Sequence, residues 1–548
     1  MKPSAACVAA VITFALSPGV RAGDSCELPT GDWAQRTGAI ANDMAMDEEG
    51  SVYFTGDFDR QTDFDPTDGI DLRTSVGEPD IFLTKILTGG AYGWTVTIGG
   101  NDVDVGRRTV VDATDYVLIV GSFRGSVDFD PTEATDERAA VGDANAFLWM
   151  LSTDGAYLGT TVFGTGVGGS SAGAVAIDVD GNVVVAGLWD GTLDFDPSGS
   201  SDVHSSLLAD ADVFVTKFDR NGSYAWTRTF GATGFDRAGA VATDSHGAVV
   251  VTGTFRGTGD FDPMEGTDIH TATGVEDIFV TKLHADGSYG WTRTYPILYS
   301  PHRALAVDAD GNVYLTCYFE GVTDLDPTEG VDWRYANDAA DSFLKGDLFV
   351  TRLNADGSYG WTYTVGGPSQ DIGRAVAVDQ YGDILVTGHF RDTVDFDPGP
   401  GMDVHSSLSD TMFLTRLARD GTYKWTRSFE GLYSQGRYII TDRGSPVTLG
   451  GAFRATVDFD PGCAENELTV HHDGVANTFV TALACIEPSA DADGNGFINL
   501  RDYAALQNCF TGPAPTVCTK GCEAFDFDHT DDIDLPDLTP FVDAVTGP

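Results

Sequence analysis

The chain has 548 residues, with 83 acidic side chains against 32 basic ones and a formal net charge of −51. A chain this acidic repels phosphate backbones and anionic lipid, which excludes nucleic-acid and membrane-surface binding as its task. Its 42% hydrophobic and 11% aromatic content is too high for a disordered chain, and 66 glycines with 22 prolines indicate many short strands joined by tight turns.

The first 22 residues read as a secretory signal peptide. Lys2 opens a short positive segment, Ala5 to Leu16 is largely apolar, and Val20-Arg21-Ala22 offers small residues for cleavage after Ala22. The apolar run is too short to span a bilayer, and no later segment reaches the ~20 apolar residues a span requires. A secreted chain without a transmembrane helix is therefore expected, with a retained anchor as the alternative. Export permits disulfides. With Cys7 removed, seven cysteines remain, so one of them is left over after pairing within the chain.

Seven repeats follow. Asp-(Phe/Leu)-Asp-Pro recurs at Asp63–Pro66, Asp128–Pro131, Asp194–Pro197, Asp260–Pro263, Asp324–Pro327, Asp395–Pro398 and Asp458–Pro461, spaced by 65, 66, 66, 64, 71 and 63 residues. Before each copy stands an apolar segment, a turn and a β-rich segment, as in Ala304-Leu-Ala-Val-Asp308, Gly311-Asn312 and Val313-Tyr-Leu-Thr316. After it come a strand such as Asp277–Leu283, an Asp286-Gly287 turn and an aromatic strand through Trp291. Each repeat is thus expected to form a four-stranded antiparallel meander. Seven of them predict an all-β, seven-bladed propeller over residues 23–485. The seventh repeat lacks its Trp-bearing fourth strand, and Gly31-Asp32-Trp33-Ala34 carries the missing one. A 3+1 clasp between chain ends would close the ring and cover the free edge, with an open solenoid as the alternative.

Several side chains recur at fixed repeat positions. Each Asp-Phe-Asp-Pro loop leads to a further acid, at Asp71, Asp136, Asp202, Asp268, Asp332 and Asp403. Clustered carboxylates suit calcium, whereas turn-capping Asp around a buried Phe needs no ion; the second reading is preferred. Arg107, Arg303, Arg374 and Arg437 stand five residues before the end of the first strand, with Arg237 slightly earlier in its repeat. The first strand lies nearest a propeller axis, so these arginines either hold an anionic ligand at the channel mouth or pair with loop Asp residues. Trp94, Trp226, Trp291, Trp361 and Trp425 occupy one strand position and are expected to wedge between blades, the alternative being a row that stacks on sugars. Cys317 replaces the glycine found at Gly253 and Gly388, which makes it the candidate for a buried thiol. His204, His270 and His405 share a position and read as drift of a strand residue. Gly169-Ser170-Ser171-Ala172-Gly173 matches a nucleophile-elbow string but is expected in a blade-to-blade connection, the wrong context for that chemistry. No catalytic residue is assigned.

The last 63 residues change character. Asp491, Asp493, Asn495, Asn499 and Asp502 place oxygens at positions one, three, five, nine and twelve of a calcium loop, with Gly496 at the sharp turn and the Phe497 carbonyl as backbone ligand. A second loop repeats the scheme with Asp526, Asp528, Thr530, Asp532, Asp534 and Asp537, and each loop leads into a helical pattern. Asp531 stands in the second loop where Gly is usual, so weaker binding is expected there. Cys509 has two candidate disulfide partners, Cys518 and Cys522.

Two resemblances rest on these residues. The segments Ala375–Gly388, Phe413–Leu417 and Asp420–Trp425 resemble the bacterial seven-bladed propeller repeats called SBBP repeats, over roughly residues 31–485. The duplicated loop and helix resembles a type I dockerin, which implies a small all-α, Ca²⁺-dependent domain over 486–548 and docking onto a cohesin-like partner in polysaccharide processing. Leu500-Arg501 and Leu535-Pro536 depart from the small hydroxyl residues that family carries before its closing Asp. The expected function is that of a secreted, non-catalytic bacterial binding or scaffold protein. An extracellular carbohydrate-active enzyme or lectin is the alternative.

Overall fold

The computed structural model describes residues 33–483, except 38, 40, 68, 115, 208–209, 298–303, 338–345, 430, 432, 442–446, 455, 459–466 and 470–476. Thr30–Leu483 forms one compact unit. Each repeat folds as an antiparallel meander. In the first, Ala41–Met46, Val52–Phe58, Asp80–Ile86 and Tyr92–Ile98 lie side by side in chain order. The two central strands of a meander are buried along their whole length, as in Val249–Phe255 and Asp277–Leu283. Both their faces pack on neighbouring sheets, which is why they read as continuous apolar runs rather than alternating ones.

Seven innermost strands line the axis: Ala41–Met46, Val105–Asp112, Thr165–Ile177, Arg237–Thr243, Ala304–Val307, Ile372–Val378 and Ser434–Ile440. Each packs on the next, and Ser434–Ile440 returns to Ala41–Met46. The N-terminal strand Trp33–Thr37 pairs antiparallel with Asn477–Leu483 in the last sheet, with Trp33 opposite Ala482, so the two chain ends meet as a clasp. The Ala41 N–H donates to Thr478 Oγ1 at 2.8 Å, and the Tyr438 hydroxyl donates to the Ala41 carbonyl at 2.9 Å. These bonds tie residues some 400 positions apart in sequence across the junction.

The expected seven-bladed propeller with an accompanying small all-α domain requires correction: among the described residues the propeller has six four-stranded blades. Six sheets are self-contained four-stranded blades, whereas the third meander belongs to one seven-stranded sheet. There, strand Tyr224–Ala232 runs two residues further than its counterparts and pairs Gly231 with Asp260 and Ala232 with Gly259 in the next repeat's ribbon. Gly259 permits this join, because a β-carbon on it would collide with the Gly231 carbonyl and Ala232 Cα. No helix occurs among the described residues, and the segment expected to be helical, 486–548, lies outside them.

Neighbouring sheets are joined by one repeated set of contacts. Hairpin glycines Gly155, Gly287, Gly357 and Gly421 have φ of 83°, 80°, 78° and 86° and sit against Trp94, Trp226, Trp291 and Trp361 of the preceding repeat. A β-carbon on Gly357 would lie 2.7 Å from the Trp291 ring, so both the backbone angle and the space demand glycine. Trp291 Nε1 and Trp361 Nε1 donate to Ala355 O at 3.2 Å and Arg419 O at 3.1 Å, across the seam. The tryptophans are therefore blade-to-blade wedges, as their repeat position suggested. Beside them, Lys217 bonds Asp178 at 2.7 Å and the Ala285 carbonyl at 3.2 Å, and Lys282 repeats this with Asp244 and Ala355.

Buried carboxyls also meet at the seams. Asp80 and Asp104 form one pair, and Asp212 and Asp236 another. A β-carbon at Gly231 would clash with Asp212 Oδ1 and lie 2.8 Å from Asp236 Oδ2, so the two carboxyls flank one glycine. Asp236 accepts from the Ala232 and Arg256 N–H groups, whereas Asp212 Oδ1 and Asp80 Oδ1 have no donor. Burial raises Asp80, Asp104 and Asp212 to about 6, Asp236 to about 7 and Asp371 to about 8. A carboxyl held above its unfolded value of 3.8 adds stability that is complete below that value. The contribution is lost as pH rises through the folded value, by at most about 1.4 kcal/mol per pH unit for each group. Repeat two already carries Asn145 at the position of Asp212, where its amide donates to the Gly164 carbonyl at 3.1 Å. The thermal midpoint is therefore expected to fall by several degrees between pH 5 and pH 8, and Asp212→Asn should flatten that slope in a melting series. A slope unchanged by the substitution would mean the pair does not share a proton.

Candidate functional site

The innermost strands share one local irregularity. In six repeats the register slips by one residue, leaving Asn42, Arg107, Gly173, Gly239, Arg374 and Arg437 as the extra residue of a β-bulge. A bulge re-aims its side chain and bends the strand. The neighbouring strand makes room with glycine. A β-carbon on Gly121, Gly187, Gly253, Gly388 or Gly451 would collide with a carbonyl of the bulged strand and lie about 3 Å from a buried Phe ring. Repeat five has Cys317 there, fully buried, and its described inner strand pairs only from Ala304 opposite Thr316.

The arginines singled out by repeat position thus stand at equivalent bulges. Arg107 Nε donates to Ser171 Oγ at 3.1 Å, and its guanidinium remains exposed. Arg374 Nε donates to His389 Nδ1 at 3.1 Å, and Arg437 NH2 donates to Gln435 Oε1 at 3.3 Å. Arg437 Nε is buried without a partner. Arg303 lies outside the described residues. Arg237 is two residues off the bulge and pairs instead with buried Glu276, at 3.8 Å, beside Arg256 at 3.3 Å.

Strand Ile372–Val378 and its neighbours carry a buried polar array. Asp410 accepts from Arg391 Nε and, at 2.7 Å, from Gln435 Nε2, while His389 Nε2 stands 3.8 Å away. Burial, with Arg374 beside it, keeps His389 neutral. Burial first and Arg437 second push Arg374 down to about 10. Sequence reasoning missed this array and also missed Arg108. That residue reaches across the axis, donating to the Asn42 carbonyl at 3.1 Å and the Gly239 carbonyl at 3.3 Å, and it pairs with Asp43 at 3.4 Å. Asp43, Arg108, Arg374, Arg437 and Tyr438 are polar residues of an axial cavity of about 180 Å³ to which all seven innermost strands contribute.

The Asp-Phe-Asp-Pro loops are satisfied by protein donors. Asp324 Oδ1 accepts from the Asp326 and Asp332 N–H groups at 3.2 and 2.7 Å, and Asp326 Oδ1 accepts from Thr328 N at 2.9 Å. The pattern recurs in every described copy, for example at Asp128 and Asp260. The intervening Phe64, Phe129, Phe195, Phe261, Leu325 and Phe396 are buried. The third acid of each loop accepts from a Tyr hydroxyl, as Asp332 does from Tyr359 and Asp403 from Tyr423. It also meets a basic residue two positions on. Arg334 bonds it through both Nε and NH2, Arg73 and Arg138 bond it through NH2 at 3.1 Å with Nε 2.8 Å from the second oxygen, and His204, His270 and His405 stand in for Arg at 3.2, 3.3 and 3.0 Å. The histidines take the place that Arg holds beside the third acid in the other repeats. The i+2 spacing of Asp to Arg or His was the signal for it.

Ser170 and Ser171 lie within the inner strand Thr165–Ile177, not in a connection as expected. Ser170 Oγ donates to the Gly164 carbonyl and accepts from Ala146 N, both at 2.9 Å, which is a packing role. Among the described residues, no His, Cys, Asp and Glu side chains converge as a metal site, and no helix is long and apolar enough to cross a membrane. The tail positions expected to bind calcium, from Asp491 to Asp537, and Cys509, Cys518 and Cys522 lie outside the described residues. Because Gly388 makes room for the Arg374 bulge, Gly388→Ala is expected to destabilise the fold by about 2–3 kcal/mol in denaturant unfolding, beyond an ordinary exposed Gly→Ala change. Wild-type stability in that variant would show that the close approach is not required.

No family model matches the chain. An uncharacterised WD repeat-containing protein of Acanthamoeba polyphaga mimivirus is 20% identical over 453 residues, covering 68% of this chain and 32% of that protein. The chain thus spans well under two thirds of the relative it matches. Among solved structures, a protein of unknown function from Bacteroides caccae covers 62% of this chain and 83% of its own at 10% identity, with a TM-score of 0.26, a superposition too loose to bear on function. WD repeats build four-stranded propeller blades, and the sheets here are arranged as such blades about one axis. The chain is a β-propeller repeat protein.

Proposed function

We propose that the protein is a secreted, non-catalytic binding scaffold whose recognition face is the mouth of the axial channel. The observation that carries this reading is the gathering of Arg107, Arg374 and Arg437 at one repeated bulge, in a chain of net charge −51. A propeller is a frame for protein interactions, and its axial end is where loops and inner-strand side chains from every repeat converge. Positive groups concentrated on an otherwise acidic surface select an acidic partner and orient it on approach. Full-length protein carrying Arg107→Gln, Arg374→Gln and Arg437→Gln together is expected to lose at least tenfold in affinity for an immobilised acidic peptide that the wild type binds. Equal affinity would overturn the assignment of the face, and release of reducing ends from a polysaccharide panel would overturn the non-catalytic reading.

The export signal and the tail complete the proposal. After removal of residues 1–22, the tail binds Ca²⁺ through Asp491, Asp493, Asn495, Phe497, Asn499 and Asp502, and more weakly through Asp526, Asp528, Thr530, Asp532, Asp534 and Asp537. It attaches the protein to an extracellular partner, a cohesin-like protein in a polysaccharide-processing setting. The support is the spacing of oxygen-bearing residues in two tandem loops. Calorimetric titration of the full chain with Ca²⁺ should show one strong and one weaker site, and Asp493→Ala should abolish the strong one. An unaltered isotherm for that variant would overturn the ligand assignment.

A further inference from the structure

The outer ribbon of the fifth repeat, Val322–Asp324 against Trp333–Tyr335, departs from its counterparts at two positions. In the third, fourth and sixth repeats the ribbon carries a cross-strand hydroxyl pair. Thr192 meets Ser205 at 3.0 Å, and Thr258 meets Thr271 and Thr393 meets Ser406 at 2.9 Å. The equivalent pair in the fifth repeat is Val322 opposite Tyr335, so that bond is given up. Two residues earlier, where Leu72, Val203, Ile269 and Val404 stand in other ribbons, the fifth carries Trp333. Trp333 is 55% exposed and Tyr335 73%, and neither ring packs on another aromatic among the described residues. The two aromatic residues therefore add nothing to the core and cost a hydrogen bond, and the fold does not explain them. Alternation along the strand puts both on one face, about 6.5–7 Å apart at their Cα atoms. Arg334 between them turns the other way, onto Asp332 and the Thr362 carbonyl.

This ribbon is acidic as well as aromatic. Residues 320–335 hold five acids against one base, Arg334, and Asp332 already engages that base. Asp324 stands directly opposite Trp333 and accepts the loop N–H groups through Oδ1 alone. Glu329 is exposed and makes no hydrogen bond or ion pair among the described residues. Aromatic faces attract a cation within about 6 Å of the ring centroid, Trp most strongly, and carboxylates beside them add direct Coulomb attraction. An anionic partner is repelled here, whereas a cationic one gains from the rings and the carboxylates together. We propose that the outer face of this ribbon docks a basic segment of a partner protein, with a Lys or Arg side chain seated against Trp333 and Tyr335 and its charge answered by the acids of the loop. The net charge of −51 draws such a partner to the molecule, and the two rings select the ribbon. The surface lies on a different element from the axial arginines and does not depend on them.

The test is calorimetric titration of the full-length protein at 0.15 M NaCl, where a Debye length of about 8 Å damps attraction from distant acids. The probes are a capped tetra-arginine peptide, a capped tetra-glutamate peptide and a neutral glucose hexasaccharide. Tetra-arginine is expected to bind and the other two are not. The double substitution Trp333→Leu with Tyr335→Thr introduces the residue types that Leu72 and Thr74 supply in the first repeat, so it leaves fold and charge unchanged. It is expected to weaken tetra-arginine binding at least tenfold. Equal affinity in that variant would show that diffuse acidity alone attracts the peptide, and it overturns the proposal. Absence of tetra-arginine binding to the wild type overturns it as well. Binding of the hexasaccharide that the double substitution abolishes would assign the rings to a sugar instead, and it equally overturns the basic partner.

Discussion

The close approach of a bulged inner strand to a glycine on its neighbour governs what this propeller can present. The bulge at Asn42, Arg107, Gly173, Gly239, Arg374 and Arg437 inserts one residue into the strand nearest the axis, and the strand behind it must yield the volume of a β-carbon. Gly121, Gly253, Gly388 and Gly451 yield it, with a Phe ring closing over the other side. The Phe rings are in turn packed by the Phe of the Asp-Phe-Asp-Pro loops, as Phe413 is by Phe396 at 5.2 Å. Core packing, strand register and channel lining are therefore one coupled system. A change at the glycine would move the arginine.

The same coupling explains how so acidic a chain folds. Its carboxylates are distributed among fixed tasks that each supply a compensating donor. Loop Asp residues cap backbone N–H groups, hairpin Asp residues such as Asp178 and Asp244 hold seam lysines, and the third loop acids take Tyr and Arg or His. Burial alone would raise Asp178 and Asp244, but the lysines and backbone donors outweigh it and hold both below the usual value. The seam pairs such as Asp212 with Asp236 are the exception. They are buried faster than donors can satisfy them, and so they keep a proton at a pH where the surface acids have lost theirs.

Much of the fold was legible in the residues because repetition multiplies weak signals. The Asp-Phe-Asp-Pro spacing, the Asp-Gly turns and the Trp strand located every meander, and the placement of Trp33 anticipated the clasp. Other features were not legible, for identifiable reasons. The extension that fuses the third meander to the next ribbon depends on two residues, Gly231 and Ala232, whose propensities give no warning. The serines of the elbow-like string fell in a strand because a Gly-rich stretch has no apolar alternation to mark it. Arg108 escaped notice beside Arg107 because a bulge reverses which of two adjacent side chains faces the axis, and no sequence pattern announces the bulge.

Sequence by itself determined the repeat, the all-β class, the positions of the wedging tryptophans and the place of Arg107, Arg374 and Arg437 on the inner strands, since each depends on periodicity or on residue type at a fixed offset. Only the tertiary structure decided which neighbours each charge meets. Arg237 found Glu276 and Arg108 found Asp43, while Arg374 and Arg437 came together on the axis with His389 and Gln435 beside them. Partners separated by tens to hundreds of residues are brought together by ring closure, and electrostatic balance is a property of distance in space. No local pattern in the chain encodes it.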